Sequence, residues 1–136
     1  MSLRGELFVA LSVLGLVACA PEVVRRPTQL TSVAEQATEQ AKATIEIVET
    51  VPVSVGPGYR RVIRRGSLWT RIGRSVEGEV FKPVDGVFTV EGAHVHEAYL
   101  VLDGDLLVGF YLPVERAFAP VRDGEEIRLS IRRRPP

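Results

Sequence analysis

The two histidines of His94-Val95-His96-Glu97 form the only cluster of metal-binding side chains in the sequence. Side chains two residues apart on a strand lie on the same face, so His94 and His96 could bind one zinc or copper ion, while Glu97 would lie on the other face. Two ligands make a weak site. The pattern more strongly predicts histidines that form hydrogen bonds or face water where a strand begins, and metal binding is therefore an alternative hypothesis.

Cys19 is the single cysteine among 136 residues, and it directly follows an apolar run from Leu7 to Ala18. A lone thiol excludes a disulfide within the chain. Twelve helical residues rise about 18 Å, which is shorter than the roughly 30 Å of a membrane hydrocarbon core. Since the run also follows Arg4 and the amino terminus, residues 1–18 are predicted to be an export signal peptide rather than a membrane-spanning helix.

The end of this run, Leu16-Val17-Ala18-Cys19, resembles the lipobox of bacterial lipoproteins. The resemblance implies cleavage between Ala18 and Cys19, diacylglycerol on the Cys19 thiol and an N-acyl chain on the new amino terminus. Two or more acyl chains hold a protein stably on a membrane. In Gram-negative bacteria, an aspartate after the cysteine retains such proteins in the inner membrane. Ala20 stands there, so the resemblance implies lipid anchoring on the periplasmic side of the outer membrane.

The charges balance, with 17 basic and 17 acidic residues, and this balance argues against nucleic-acid binding. Their distribution is uneven, because residues 77–105 hold seven acids and one lysine whereas residues 58–76 hold six arginines and no acid. Arginine binds phosphate in a bidentate manner, so a second alternative is binding to an anionic surface such as lipid headgroups, unless the two halves pair with each other. The candidate residues are Arg60, Arg61, Arg64, Arg65, Arg71 and Arg74.

Catalytic patterns are absent from the sequence. No serine lies in a glycine-flanked elbow, no glycine-rich phosphate loop occurs, and the one thiol is assigned to lipid. We therefore expect no enzyme activity, no small-molecule substrate and no cofactor apart from the covalent lipid. The leading hypothesis is a non-enzymatic binding or scaffolding module of the cell envelope with a protein partner there, and the chain after residue 44 also resembles small envelope lipoproteins.

The elements that would position these residues are short strands. Residues 44–131 are predicted to form a small barrel or sandwich of six to eight antiparallel strands. The clearest signal is a hairpin of Val95–Leu102 and Leu106–Leu112, because Asp-Gly between them supplies the positive φ of a tight turn. Both strands are apolar on both faces, so we expect cover on each side of them. Glu125–Arg132 alternates as one amphipathic strand.

The flanking segments carry weaker patterns. Residues 19–43 are predicted to be the lipidated cysteine and a tether, because two prolines and no periodic apolar face follow Cys19. Helix-favouring residues from Thr31 to Lys42 indicate a short helix as part of this segment. Residues 132–136 are predicted to be a loose basic tail.

Overall fold

The computed structural model describes residues 21–35, 43–56, 59–122 and 125–135. The predicted signal peptide, the cleavage site at Ala18 and Cys19, and residues 36–42 of the predicted helix lie outside the described residues. Within the described ranges the fold is mainly β and antiparallel, which confirms the predicted fold class.

Ten strands form one antiparallel sheet in the order β1-β12-β11-β10-β7-β6-β3-β14, with β2 beside β6 and β13 beside β11. Strands β4 with β5, and β8 with β9, make two separate two-stranded sheets. The large sheet is not closed into a barrel, and the described residues form fourteen strands rather than six to eight. The strands are β1 (Arg26–Pro27), β2 (Thr31–Ser32), β3 (Thr44–Ile47), β4 (Val51–Val53), β5 (Arg61–Ile63), β6 (Leu68–Arg74), β7 (Glu79–Pro83), β8 (Thr89–Glu91), β9 (Val95–Glu97), β10 (Tyr99–Asp103), β11 (Leu106–Leu112), β12 (Ala117–Pro120), β13 (Ile127–Arg128) and β14 (Ile131–Arg134).

The predicted hairpin is confirmed from Tyr99 onward as β10 and β11, which pair from Tyr99↔Tyr111 to Asp103↔Leu106. The predicted first strand, Val95–Leu102, is divided at Ala98, because Val95–Glu97 forms β9 and pairs with β8. Gly104 in its turn has a φ of 63°, as a tight hairpin turn requires. Both faces of the hairpin are buried, because β10 contributes alternate side chains to two separate hydrophobic clusters. Leu100 and Leu102 pack in the larger cluster, and Tyr99 and Val101 pack in the smaller one.

The N-terminal segment, defined here as Pro21–Thr28, corrects the prediction of a tether. Val23 is buried in the larger cluster, and β1 pairs with β12 through Arg26↔Phe118 and Pro27↔Ala117. Leu30, just beyond the segment, packs against the smaller cluster. The tether prediction is wrong because these contacts are made with residues distant in sequence, which a local pattern does not reveal.

The predicted short helix begins differently from expectation. Thr31–Ser32 is strand β2, paired with β6, and Val33–Glu35 is a single 3-10 turn. The β-branched Thr31 finds a ladder partner in Arg74. Tertiary pairing therefore overrides helix propensity at this end of the stretch.

The C-terminal strand is also different from its prediction. The single strand expected over Glu125–Arg132 is divided into β13, which pairs with β11, and β14, which pairs with β3. The loose tail predicted from residue 132 is wrong, since β14 continues to Arg134. Arg132 and Arg134 both form ion pairs with Glu46 on β3, so the basic side chains are compatible with an edge strand.

Candidate functional site

The two histidines lie in and beside the turn that joins β8 and β9. In this ribbon Val90 pairs with His96 and Glu91 pairs with Val95, so the His96 side chain lies on the buried face with Val90 while His94 falls in the turn. The His96 side chain is 6% exposed and that of His94 is 75% exposed. The ring centroids are 6.5 Å apart. The structure therefore brings the two residues together but places only one of them in the interior.

His96 lies between two carboxylates. Its Nδ1 is 2.5 Å from Glu115 Oε1, and its Nε2 is 3.0 Å from Glu22 Oε1. Ionised carboxylates only accept hydrogen bonds, so both contacts are hydrogen bonds together only when the ring is protonated and both of its nitrogens donate. Glu22 Oε2 also lies 2.6 Å from His94 Nδ1. Glu22, His94, His96 and Glu115, named here the histidine cluster, thus join the N-terminal segment, the β8–β9 turn and the β11–β12 turn.

The histidine cluster shifts the pKa of two of its members in opposite directions. Burial lowers the pKa of His96, but hydrogen bonds and charges from Glu115 and Glu22 outweigh burial and raise this pKa above its usual 6.5. Hydrogen bonds from His94 and His96 lower the pKa of Glu22 from 4.5 to about 2. The charged forms of both residues are therefore favoured over a shared pH range.

Metal binding at His94 and His96 stays a prediction. Among the described residues, no group of three or more histidine, cysteine or acidic side chains is arranged to hold a metal ion. Both ring nitrogens of His96 already lie within hydrogen-bonding distance of carboxylate oxygens. The arrangement joins segments of the chain through charge-assisted hydrogen bonds, which are about twice as strong as neutral ones.

Sequence reasoning found both histidines but missed Glu22 and Glu115. Glu22 is 74 residues from His96, and Glu115 is 19 residues away. Neither spacing belongs to a motif, and no signal in the sequence joins them. Only the tertiary fold brings these side chains together.

A backbone hydrogen bond also holds Pro21 next to the histidine cluster. The Ala93 N–H donates to the Pro21 carbonyl at 3.0 Å. A Cβ at Gly92 would lie 2.7 Å from the same oxygen, so glycine is needed for this close approach. The chain is therefore held to the β8–β9 turn from Pro21 onward, two residues after Cys19.

The six candidate arginines do not form one surface. Arg71 is buried and pairs with Glu79 at 3.3 Å, and Arg61 pairs with Glu91 at 3.6 Å. These two contacts join the basic and acidic halves of the chain. Arg64 lines a groove with Arg61, whereas Arg60 and Arg74 line two other grooves.

The remaining arginines of this stretch are exposed. These arginines make no ion pair within the part of the chain that the structure describes. They are Arg60, Arg64, Arg65 and Arg74. Binding of an anionic surface by the stretch stays a prediction.

Comparison of the chain with protein-family models, with curated proteins and with solved structures finds no match. Among the residues described, no helix has the length and apolar character needed to cross a membrane.

Proposed function

We propose that this chain is a lipid-anchored protein of the bacterial cell envelope, acylated at Cys19, whose β domain is a non-enzymatic binding or scaffolding module on the periplasmic side of the outer membrane. The observation that carries the proposal is the apolar run closing at Leu16-Val17-Ala18-Cys19.

The non-enzymatic part of the proposal is supported by the groups with shifted pKa values. His96 presents no free ring nitrogen to a substrate, because both nitrogens are hydrogen-bonded to carboxylates. Burial raises the pKa of the Tyr99 phenol to about 12, and its hydroxyl donates to Glu97. These contacts favour a structural role for both side chains, which supports the non-enzymatic part of the proposal.

Lipidation is tested on the full chain expressed in a Gram-negative host fed an alkyne-bearing fatty acid. We expect label on the wild-type protein, none on Cys19→Ser, and a mature N-terminal peptide that begins at Cys19 and carries diacylglycerol and an N-acyl chain by mass spectrometry. An inhibitor of the lipoprotein signal peptidase should make the precursor accumulate. Label that persists in Cys19→Ser, or a mature terminus elsewhere, would contradict the proposal.

The binding role is tested by crosslinking and purification of the acylated protein from the envelope. We expect a defined envelope protein to co-purify with it in constant proportion. Recovery of the protein alone, together with no phenotype when its gene is deleted, would argue against a binding or scaffolding module.

A further inference from the structure

We propose that the end of the domain next to Pro21 rests on the lipid surface, through four exposed apolar side chains that neighbour the β8–β9 turn or residues of the histidine cluster. This inference depends on the lipid anchor proposed above. We name the four side chains the apolar ring: Val24, Tyr59, Val95 and Val114.

The length of chain between the lipid and the domain is the first step. Only Ala20 separates Cys19 from Pro21, and consecutive Cα atoms are about 3.8 Å apart, so the Cα atoms of Cys19 and Pro21 are at most about 7.6 Å apart. The Pro21 carbonyl accepts the Ala93 N–H. A lipid on Cys19 would therefore keep the β8–β9 turn close to the headgroups.

The apolar ring is the second step. Tyr59 is held next to this turn by its N–H, which donates to the Glu91 carbonyl at 3.1 Å. Val95 lies between the two histidines, Val114 precedes Glu115 of the histidine cluster, and Val24 follows Glu22 by two residues. Their exposed fractions are 62% for Val24, 59% for Tyr59, 64% for Val95 and 79% for Val114.

Single exposed apolar residues are ordinary on a protein surface, whereas a contiguous apolar patch marks an interaction site, and the inference is that these four side chains act together as one. Valine and tyrosine at one end of a lipid-anchored domain suit the membrane interface, where tyrosine has an apolar ring in the headgroup region and a hydroxyl in water.

The charge and rigidity of this end are the third step. Glu22 contacts His94, His96 and Arg25, whose NH1 is 3.4 Å from Glu22 Oε1. The Arg25 guanidinium offsets the negative charge of Glu22, which anionic lipid would repel. Because Val23 is also buried in the core, the N-terminal segment is fixed to the domain, and the anchor therefore restrains which end of the domain faces the membrane.

The experiment uses the full acylated protein in vesicles of phosphatidylethanolamine and phosphatidylglycerol that contain a headgroup-nitroxide lipid. An environment-sensitive fluorophore is attached at Val114→Cys or Val95→Cys, and at Asp103→Cys as the control. Acylation leaves no free thiol on Cys19. Asp103 ends strand β10, roughly 16 Å along the strand from Ala98 at about 3.3 Å per residue.

We expect a blue shift and nitroxide quenching at Val114 and Val95, and neither at Asp103. Unchanged melting temperatures show that the variants fold. If one of the two variants in the apolar ring does not fold, the other still tests the inference. If the protein floats with vesicles but the ring probes behave as the Asp103 probe does, this inference alone is overturned. If mass spectrometry shows no lipid and the protein does not float, the anchor proposal fails and the inference fails with it.

Discussion

The β10–β11 hairpin and the N-terminal segment are both attached to the same domain, but different contacts hold them. The hairpin has a ladder on each side, with β7 pairing to β10 and β12 pairing to β11, and its side chains are buried on both faces. The N-terminal segment has the two-residue strand β1, the buried Val23 and the charged contacts of Glu22.

This difference indicates two levels of stability in one domain. Regions with dense apolar burial open only in global unfolding, whereas segments with few buried side chains open locally. Protonation acts directly on the histidine cluster, while the hairpin core is apolar. We therefore expect substitutions and pH to separate the two regions experimentally.

The largest effect is expected for Phe110→Ala in the hairpin. Phe110 is fully buried and stacks on Phe88 with ring centroids 5.8 Å apart. Its truncation should lower the free energy of unfolding by about 3–5 kcal/mol, because it removes buried apolar surface and leaves a cavity. Chemical denaturation measures this change. Val76→Ala, at a highly exposed position, is the control and should change stability by less than about 0.5 kcal/mol. Similar losses for both variants would refute the assignment of the hairpin to the core.

A smaller and local effect is expected for Val23→Ala in the N-terminal segment. The substitution removes two buried methyl-sized groups at about 0.8 kcal/mol each, so docking should weaken by about 1–2 kcal/mol. Hydrogen exchange should quicken at the Ala93 amide, which donates to Pro21, but not at the Leu129 amide, which donates to Asp105. An equal change at both amides would show that the segment does not open independently of the hairpin.

The next prediction concerns pH and the histidine cluster. The pKa of His96 is raised above 6.5 in the folded protein. The stabilisation that protonated His96 gives to docking of the N-terminal segment is therefore complete below about pH 6.5 and is lost as pH rises through the folded-state pKa. The pKa of Glu22 is lowered from 4.5 to about 2, so its stabilisation is present above about pH 4.5 and is lost as pH falls towards 2. Docking should be strongest between these limits.

The measurement is exchange at the Ala93 amide, corrected for intrinsic rates, together with NMR titration of the His96 ring. His96→Gln should remove the weakening of docking at alkaline pH, because its side chain does not titrate. His94→Gln, at the exposed position, should retain it. An alkaline response that survives in His96→Gln would exclude His96 as its source.

The two regions also differ in how far the sequence predicts them. The hairpin follows from local signals, namely Asp103-Gly104 between two apolar runs, and its two-sided burial follows from the absence of polar alternation. The N-terminal segment has no such signal, since Pro21 and Pro27 are also typical of a tether. Its docking includes the contact between Glu22 and His96, which are 74 residues apart in the sequence.

The candidate site was therefore predictable only in part. The spacing of His94 and His96 predicted two side chains on one face of a strand, but His94 lies in the turn before β9, and only the proximity of the rings, 6.5 Å apart, follows from the local spacing. Their burial was not predictable, because the turn at Gly92–His94 places one ring outside and the other inside. The prediction for the C-terminal residues is wrong for a related reason. Arg132 and Arg134 are typical of a solvated tail in the sequence, but strand pairing places Glu46 beside them.

The smallest effect is expected at this C-terminal strand, which tests whether charge contacts hold β14 as they hold the N-terminal segment. A hydrogen bond from Arg134 lowers the pKa of Glu46, so the contact is lost as pH falls through that lowered pKa. Glu46→Gln should leave global stability nearly unchanged, because exposed ion pairs contribute little, and should quicken exchange of the β14 amides. Added salt should reproduce this effect in the wild type by screening the pairs. Glu49→Gln, at an exposed glutamate just beyond β3, is the matched control. If both variants leave the β14 amides unchanged, backbone pairing with β3 alone holds β14, and charge contacts are needed only at the N-terminal segment.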